Sequence, residues 1–242
     1  MPMRALVIAL VLLASTGCAA GSDGPVTLRM LAGSSMTEVL SDLTAVYHQH
    51  VPHVRFRLEF RGAQELPDEV DRADVVAAGD VGALDDIRDD LGTPYVVAAD
   101  SLTIAVAPGN PLGLTGVRSL ERKKLRIVLG TSVGPLGRYS QQVLTKAGVP
   151  LALKSEEVDS RDVLDLVRSG RADAGLVYLT DMKTAGAAAS SVAIPAVFNV
   201  KAEFPVAPVA ESDHLPEATA FVEWLAGDEA RALFHKYGFQ AP

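Results

Sequence analysis

A strand, a glycine followed by two hydroxyl side chains, and then a helix occur twice in this chain. That duplicated junction constrains its architecture more than any other feature. In the first copy the apolar run Leu28 to Ala32 meets Gly33-Ser34-Ser35. Met36, Val39, Leu40, Leu43, Val46 and Tyr47 then fall at i, i+3, i+4, i+7, i+10 and i+11, one face of an amphipathic helix. In the second copy Leu125 to Leu129 meets Gly130-Thr131-Ser132, with a helical stretch from Tyr139 to Ala147. Arg171-Ala172-Asp173 echoes Arg72-Ala73-Asp74, each leading into a strand; Gly33 to Ala73 is 40 residues and Gly130 to Ala172 is 42. Two like halves of this kind predict two like lobes rather than one extended sheet, with a ligand between them where the helix N-termini converge. The competing reading is a chance likeness between two ordinary strand-turn-helix units.

The junction itself reads as a socket for an anion. The first backbone N–H groups of a helix have no intrahelical partner and carry about +0.5 of a charge from the aligned peptide dipoles. Gly33 lets the backbone come close. The alternative is that Ser35 is an N-cap and Glu38, three residues later, completes a capping box, which would use the same N–H groups internally.

The chain has 242 residues, enough for one large or two medium α/β domains. Its opening stretch is predicted to lie outside the fold. Arg4, the apolar run Ala5 to Ala14 and Ser15-Thr16-Gly17-Cys18 fit a secretory signal, since the apolar core is too short for a membrane span. Cys18 is the only cysteine, so no internal disulfide can form. Its place after small residues resembles a bacterial lipoprotein processing site, with Ser15 where such sites usually carry leucine. The expected organisation is a signal peptide over 1–18 ending at a lipidated Cys18 and a tether over 19–25. With 22 basic and 30 acidic residues, the formal charge is −8. This argues against nucleic acid or an anionic membrane surface as partner but leaves a small anion open, because distant charges are screened beyond about 8 Å.

Strand and helix signals alternate through the rest. Val54 to Phe60 has the period of two of a half-buried strand, Asp74 to Ala78 is a short apolar strand ending at Gly79-Asp80, and Asp85 to Leu91 is a short charged helix. Ser101 to Ala107 is a strand-like run closed by Pro108-Gly109-Asn110-Pro111. Phe204 to Val209 reads as a strand returning to the first lobe, followed by helical patterns at Ala218 to Leu225 and Glu229 to Phe234. The alternation predicts a mostly parallel sheet flanked by helices.

Three further stretches, with Leu31 to Met36, carry a family likeness. They are Gly134-Pro135-Leu136-Gly137-Arg138-Tyr139, Asp159-Ser160-Arg161-Asp162-Val163, and Ala172-Asp173-Ala174-Gly175-Leu176-Val177-Tyr178-Leu179-Thr180-Asp181. In order and spacing they resemble the periplasmic molybdate-binding proteins that serve ABC transporters, from about Val26 to Tyr237-Gly238-Phe239. The resemblance implies an α/β, two-lobed periplasmic-binding-protein-like fold of type II. Lobe 1 would be discontinuous, 26–103 plus 205–242, and lobe 2 would be 104–204. Two crossover strands near Leu102 to Ala107 and Phe204 to Val209 would join them, with the ligand cleft between.

The resemblance also implies a set of oxyanion contacts. Ser35 would offer its hydroxyl and N–H, Leu136 and Val163 backbone N–H groups only, and Tyr178 its phenol. At the fifth position the family usually has a serine, and here stands Ala63, in a segment that is also shorter than usual up to Asp74. The loss of one neutral hydrogen bond costs about 0.5 to 1.5 kcal/mol, roughly up to tenfold in affinity. Ser34 and Arg61 are further donors to consider. Arg61 reads equally as a solvated side chain at a strand end, but inside the pocket it would favour phosphate-like or carboxylate ligands. Neutral donors select a fully ionised anion. Molybdate and tungstate fit that description, whereas sulfate is smaller and phosphate carries a proton at neutral pH.

Catalysis finds no support in the residues. His48-Gln49-His50-Val51-Pro52-His53 is the one histidine cluster, its spacing does not place the side chains on one helix face, and no cysteine or acidic residue adjoins it. No metal cation, cofactor or enzyme motif is expected. The implied function is an exported, lipid-anchored solute receptor on the outer face of the cell membrane, monomeric, with an oxyanion as ligand and a membrane permease as partner. The alternatives are the same fold with a different anion, or an exported interaction protein that has lost its ligand.

Overall fold

The computed structural model describes residues 24–150 and 160–242; the expected signal peptide, Cys18 and most of the tether lie outside the described residues. The first strand, β1 (Val26–Gly33), has both faces covered over Met30 to Ala32, which is why its sequence is continuously apolar there, whereas Thr27 before it is exposed. Leu28, Met30 and Ala32 point to one face, where α1 (Thr37–His50) lays down Val39, Leu40, Leu43 and Tyr47. Leu31 points to the other, into a smaller cluster with Leu66, Val70, Val76, Leu84 and Ile87. Each such side chain contributes about 1.5–3 kcal/mol through burial. Tyr47 also meets Phe221 edge-on at 4.9 Å, and Phe56 lies 4.5 Å from Phe221, which ties α1 to the C-terminal helices.

Chain order continues with β2 (Val54–Arg61), the short helix α2 (Leu66–Glu69) and β3 (Val75–Ala77). A 3₁₀ segment at Val81–Asp90 follows, then β4 (Tyr95–Asp100), β5 (Leu102–Val106) and β6 (Ile127–Val128). Next come α3 (Pro135–Ala147), α4 (Ser160–Arg168), β7 (Ala174–Tyr178) and α5 (Asp181–Ala185). The chain ends with β8 (Ser190–Val192), β9 (Ala202–Pro208), α6 (Leu215–Leu225) and α7 (Asp228–Tyr237). The strands form two sheets, in the orders β2-β1-β3-β9-β4 and β6-β7-β5-β8, the two-lobed α/β architecture expected, but the sheets are mixed rather than mostly parallel, because β9 pairs antiparallel with β3 and β4, and β5 with β7 and β8.

The duplicated junction is structural. β1 pairs parallel with β3, and β6 pairs parallel with β7. Asp74 and Asp173, the two echoing aspartates, do the same work. The Asp74 carboxylate accepts from the Arg29 N–H at 2.7 Å, and the Asp173 carboxylate accepts from the Arg126 N–H at 2.8 Å. In return each aspartate N–H donates to the carbonyl of that same arginine at 2.8 Å. In both sheets an antiparallel strand, β9 or β5, follows next in order.

The chain passes between sheets at two adjacent points. One is Ser101, between β4 and β5; the run from Leu102, expected as a crossing strand, is β5 itself and belongs wholly to the second sheet. The other is the stretch before β9. Asn199 stitches the two together: its Oδ1 accepts from the Leu102 N–H at 3.1 Å and its Nδ2 donates to the Leu102 carbonyl at 2.8 Å. Among the described residues no helix is long and apolar enough to cross a membrane.

Candidate functional site

At the end of β1 the chain stays extended at Gly33 and turns through a 3₁₀ segment, Ser34–Met36, directly into α1. No side chain caps either start. The capping box weighed for Ser35 and Glu38 is therefore not formed; the Glu38 carboxylate instead reaches Arg161 of α4 at 2.5 Å. Thr37 satisfies the turn from within, its hydroxyl donating to the Ser34 carbonyl at 2.7 Å. In the second copy α3 starts with Pro135 at its first position after an extended Gly134, again without a side-chain cap. Proline suits that place because its missing N–H is one that would have no helical partner.

These two helix starts face one cavity of about 50 Å³. A cavity needs at least about 10–15 Å³ to hold one water, so this one has room for a small ligand. Its walls are the ends of β1 (Gly33, Ser34, Ser35), β2 (Arg61, Gly62, Ala63) and β3 (Ala77, Ala78, Gly79), the start of α3 (Pro135, Leu136), and Tyr178 at the end of β7, with Leu66 behind. This is the crevice beyond the carboxyl ends of parallel strands, shared between the sheets, where helix dipoles favour an anion. Gly79 makes the close approach possible, since a Cβ there would sit 3.0 Å from the Pro135 ring.

Tyr178 is 2% exposed, and its buried hydroxyl has no hydrogen-bond partner among the described residues. Burial above all, with the charges around it, pushes its phenol well above the usual tyrosine range, so it is a neutral O–H donor at any ordinary pH. An unsatisfied buried hydroxyl costs about 1–3 kcal/mol, which an incoming acceptor would recover.

Of the residues singled out in the sequence, Ser34, Ser35, Arg61, Ala63, Leu136 and Tyr178 line this one cavity. Val163 does not line it. It is fully buried in the first turn of α4 and packs against β7, with its Cγ1 2.7 Å from where a Cβ on Gly175 would stand. Arg61 lies at the wall but is already engaged: it donates to the Phe60 carbonyl at 3.1 Å and the Glu59 carboxylate at 3.3 Å, and stands 3.9 Å from Glu65. The Gly62 N–H is also taken, donating to Glu65 at 3.0 Å.

Two ion pairs between the lobes, among the described residues, were not foreseen from the sequence. Besides Glu38 with Arg161, the Arg138 side chain forks onto Asp80, Nε to Oδ2 and NH2 to Oδ1, both at 2.6 Å. The Gly79-Asp80 strand end and the Gly-Arg-Tyr of the second half were each visible, but 58 residues separate the partners and nothing in a single sequence pairs them. Two histidines of the cluster contact their surroundings: His48 Nδ1 meets the Val54 carbonyl at 2.7 Å and His50 Nε2 the Glu229 carboxylate at 2.9 Å. Among the described residues no group of three or more His, Cys, Asp or Glu side chains is placed to hold a metal ion.

Comparison with known proteins agrees with this geometry. Residues 28–240 match the family model described as bacterial extracellular solute-binding protein. The molybdate-binding protein ModA of Mycobacterium tuberculosis (strain ATCC 25618 / H37Rv) is 26% identical over 247 aligned positions, covering 98% of this chain and 95% of that one. The periplasmic molybdate-binding protein of Azotobacter vinelandii superposes with a TM-score of 0.75 at 18% identity, over 89% of this chain and 99% of that chain. The sulfate-binding protein SubI of Mycobacterium tuberculosis H37Rv superposes with a TM-score of 0.76 at 17% identity, over 89% of this chain and 86% of that chain. The likeness to molybdate-binding proteins read in the sequence is thereby borne out.

Proposed function

The chain belongs to the bacterial extracellular solute-binding proteins, a family of binding proteins rather than enzymes, and on that premise we propose that it captures a tetrahedral oxyanion, molybdate or tungstate, for an ABC transporter permease. The observation that carries this reading is the buried Tyr178 hydroxyl, which has no hydrogen-bond partner among the described residues and stands at the wall of this small cavity. The hydroxyls of Ser34 and Ser35 and the opening turns of two helices stand around the same space. Such walls suit a fully ionised anion, which brings only acceptors. The molybdate-binding relative supports the choice of anion. In the same reading the protein works as a monomer, tethered outside the membrane through lipidated Cys18.

A second reading, the same receptor for sulfate or phosphate, is favoured by two observations. Ala63 supplies no hydroxyl at its wall, and the sulfate-binding protein shares the fold. Calorimetric titration of the purified protein with molybdate, tungstate, sulfate and phosphate at neutral pH tests both. Tight binding confined to molybdate and tungstate is the expected result. Binding of sulfate or phosphate in their place would establish the second reading, and silence toward all four would overturn the receptor reading.

A further inference from the structure

We propose that Arg138 determines which anion the cavity accepts, by occupying both carboxylate oxygens of Asp80, which stands just behind the cavity wall, so that no uncompensated carboxylate charge lies next to the ligand. This rests on the receptor reading above. Asp80 directly follows Gly79, which lines the cavity, and is 6% exposed. Its charge reaches the phenols of Tyr178 and Tyr139 and helps to raise both. An uncompensated carboxylate in that place would repel a dianion more than a monoanion, and would accept the proton of hydrogen phosphate.

Arg138 removes both effects. Its Nε and NH2 meet Oδ2 and Oδ1 at 2.6 Å, while the Ala83 N–H donates to Oδ1 at 2.8 Å. The fork cannot swing away freely, because NH1 is anchored on the Val133 carbonyl at 2.6 Å. The planar guanidinium suits this task because it satisfies two oxygens at once, which a lysine cannot do. Arg138 belongs to α3 and Asp80 follows β3, so the neutralisation is complete only with the lobes together. Arg138 is thus a positioning residue that acts on the ligand through Asp80.

The test measures affinities for molybdate, sulfate and phosphate, with thermal unfolding, in wild type, Arg138→Gln, Arg138→Lys, and Arg138→Gln combined with Asp80→Asn. In Arg138→Gln the affinity for the fully ionised anion that wild type prefers should fall by about tenfold or more, while phosphate falls less, so that the ratio between them narrows. Arg138→Lys should narrow it partly, and supplies the answer if the glutamine variant does not fold. Adding Asp80→Asn should restore the preferred anion to within about threefold of wild type. An equal loss for every anion would make the pair a clasp without a part in selectivity and would overturn the proposal. So would an unchanged ratio, or a failure of Asp80→Asn to rescue. If wild type binds none of the anions, the receptor reading fails first and this proposal with it.

Discussion

Tyr178 shows what a single side chain contributes when its environment is finished except at one atom. The ring is packed among apolar neighbours, 5.5 Å from the Phe204 ring, and the hydroxyl lacks a partner among the described residues. Tyr178→Phe should therefore leave the unliganded fold as stable as before, or slightly more so. It should weaken oxyanion binding by about tenfold to a hundredfold, the worth of a hydrogen bond to a charged acceptor. Calorimetry and thermal unfolding of the same preparation check the two halves of that statement, and a variant that loses stability along with affinity would contradict it. At this scale the sequence was informative wherever a motif tied residue type to position: Ser35, Leu136 and Tyr178 do meet at one cavity. It was uninformative where the partner is remote. Arg61 kept both of its readings until Glu59 and Glu65 could be seen to engage it. Val163, which the family motif places as a backbone donor, is not among the residues lining the cavity, and its side chain packs against β7.

At the scale of the element, the second copy of the junction depends on a helix start that passes directly over the preceding turn. Gly137, the third residue of α3, lies so close to that turn that a methyl group there would overlap the Thr131 carbonyl. Both atoms belong to the backbone, so neither can yield without moving α3. Gly137→Ala should cost about 3 kcal/mol or more and misplace Leu136 at the cavity, read by denaturant unfolding together with titration. A variant with wild-type stability would show that the turn can relax. The helix was visible in the sequence from Tyr139 onward, but its true start at Pro135 was not, because Pro-Leu-Gly has no apolar period and counts as helical only once the cap geometry is known. The short strands β4 and β8 and helix α5 escaped for a related reason. Tyr95 to Asp100 borders the next strand with a single residue between, and three-residue or five-residue pieces give periodicity too little length to register.

For the whole molecule, the passage between lobes is also where a charge is held under stress. Asp100, fully buried beside Ser101, accepts from the Thr180 N–H at 3.1 Å, the Thr180 hydroxyl at 2.7 Å and the Ser101 N–H at 2.7 Å. Burial nonetheless outweighs these bonds and the attraction of Lys183, and pushes the carboxyl up to about 6 from 3.8. The folded state thus holds this proton more tightly than the unfolded chain. Its stabilising contribution is full below about pH 4 and is lost as the pH rises through 6, a span worth about 3 kcal/mol. Stability curves of wild type and Asp100→Asn between pH 4.5 and 7.5 should therefore diverge as pH rises, the asparagine variant gaining on wild type toward neutrality; parallel curves would refute the assignment. That two lobes exist was legible from the repeat. The family likeness placed the first join at Leu102 to Ala107; that the passage is Ser101, just before that run, carries no sign in composition or pattern and shows only in the pairing of β4 and β5 with different sheets.

The stitching of Asn199 to Leu102 places the way into the second lobe beside the way out. A segment that leaves and rejoins its host at one spot can be exchanged as a cassette. Recombination that replaced residues 101–199 with the matching stretch of a relative would import a new Leu136 turn, a new Tyr178 and a new Arg138 in one event, while Ser35, Ala63 and Asp80 stayed behind. New ligand preferences would then arise by re-pairing inherited halves rather than by remaking the cavity one residue at a time.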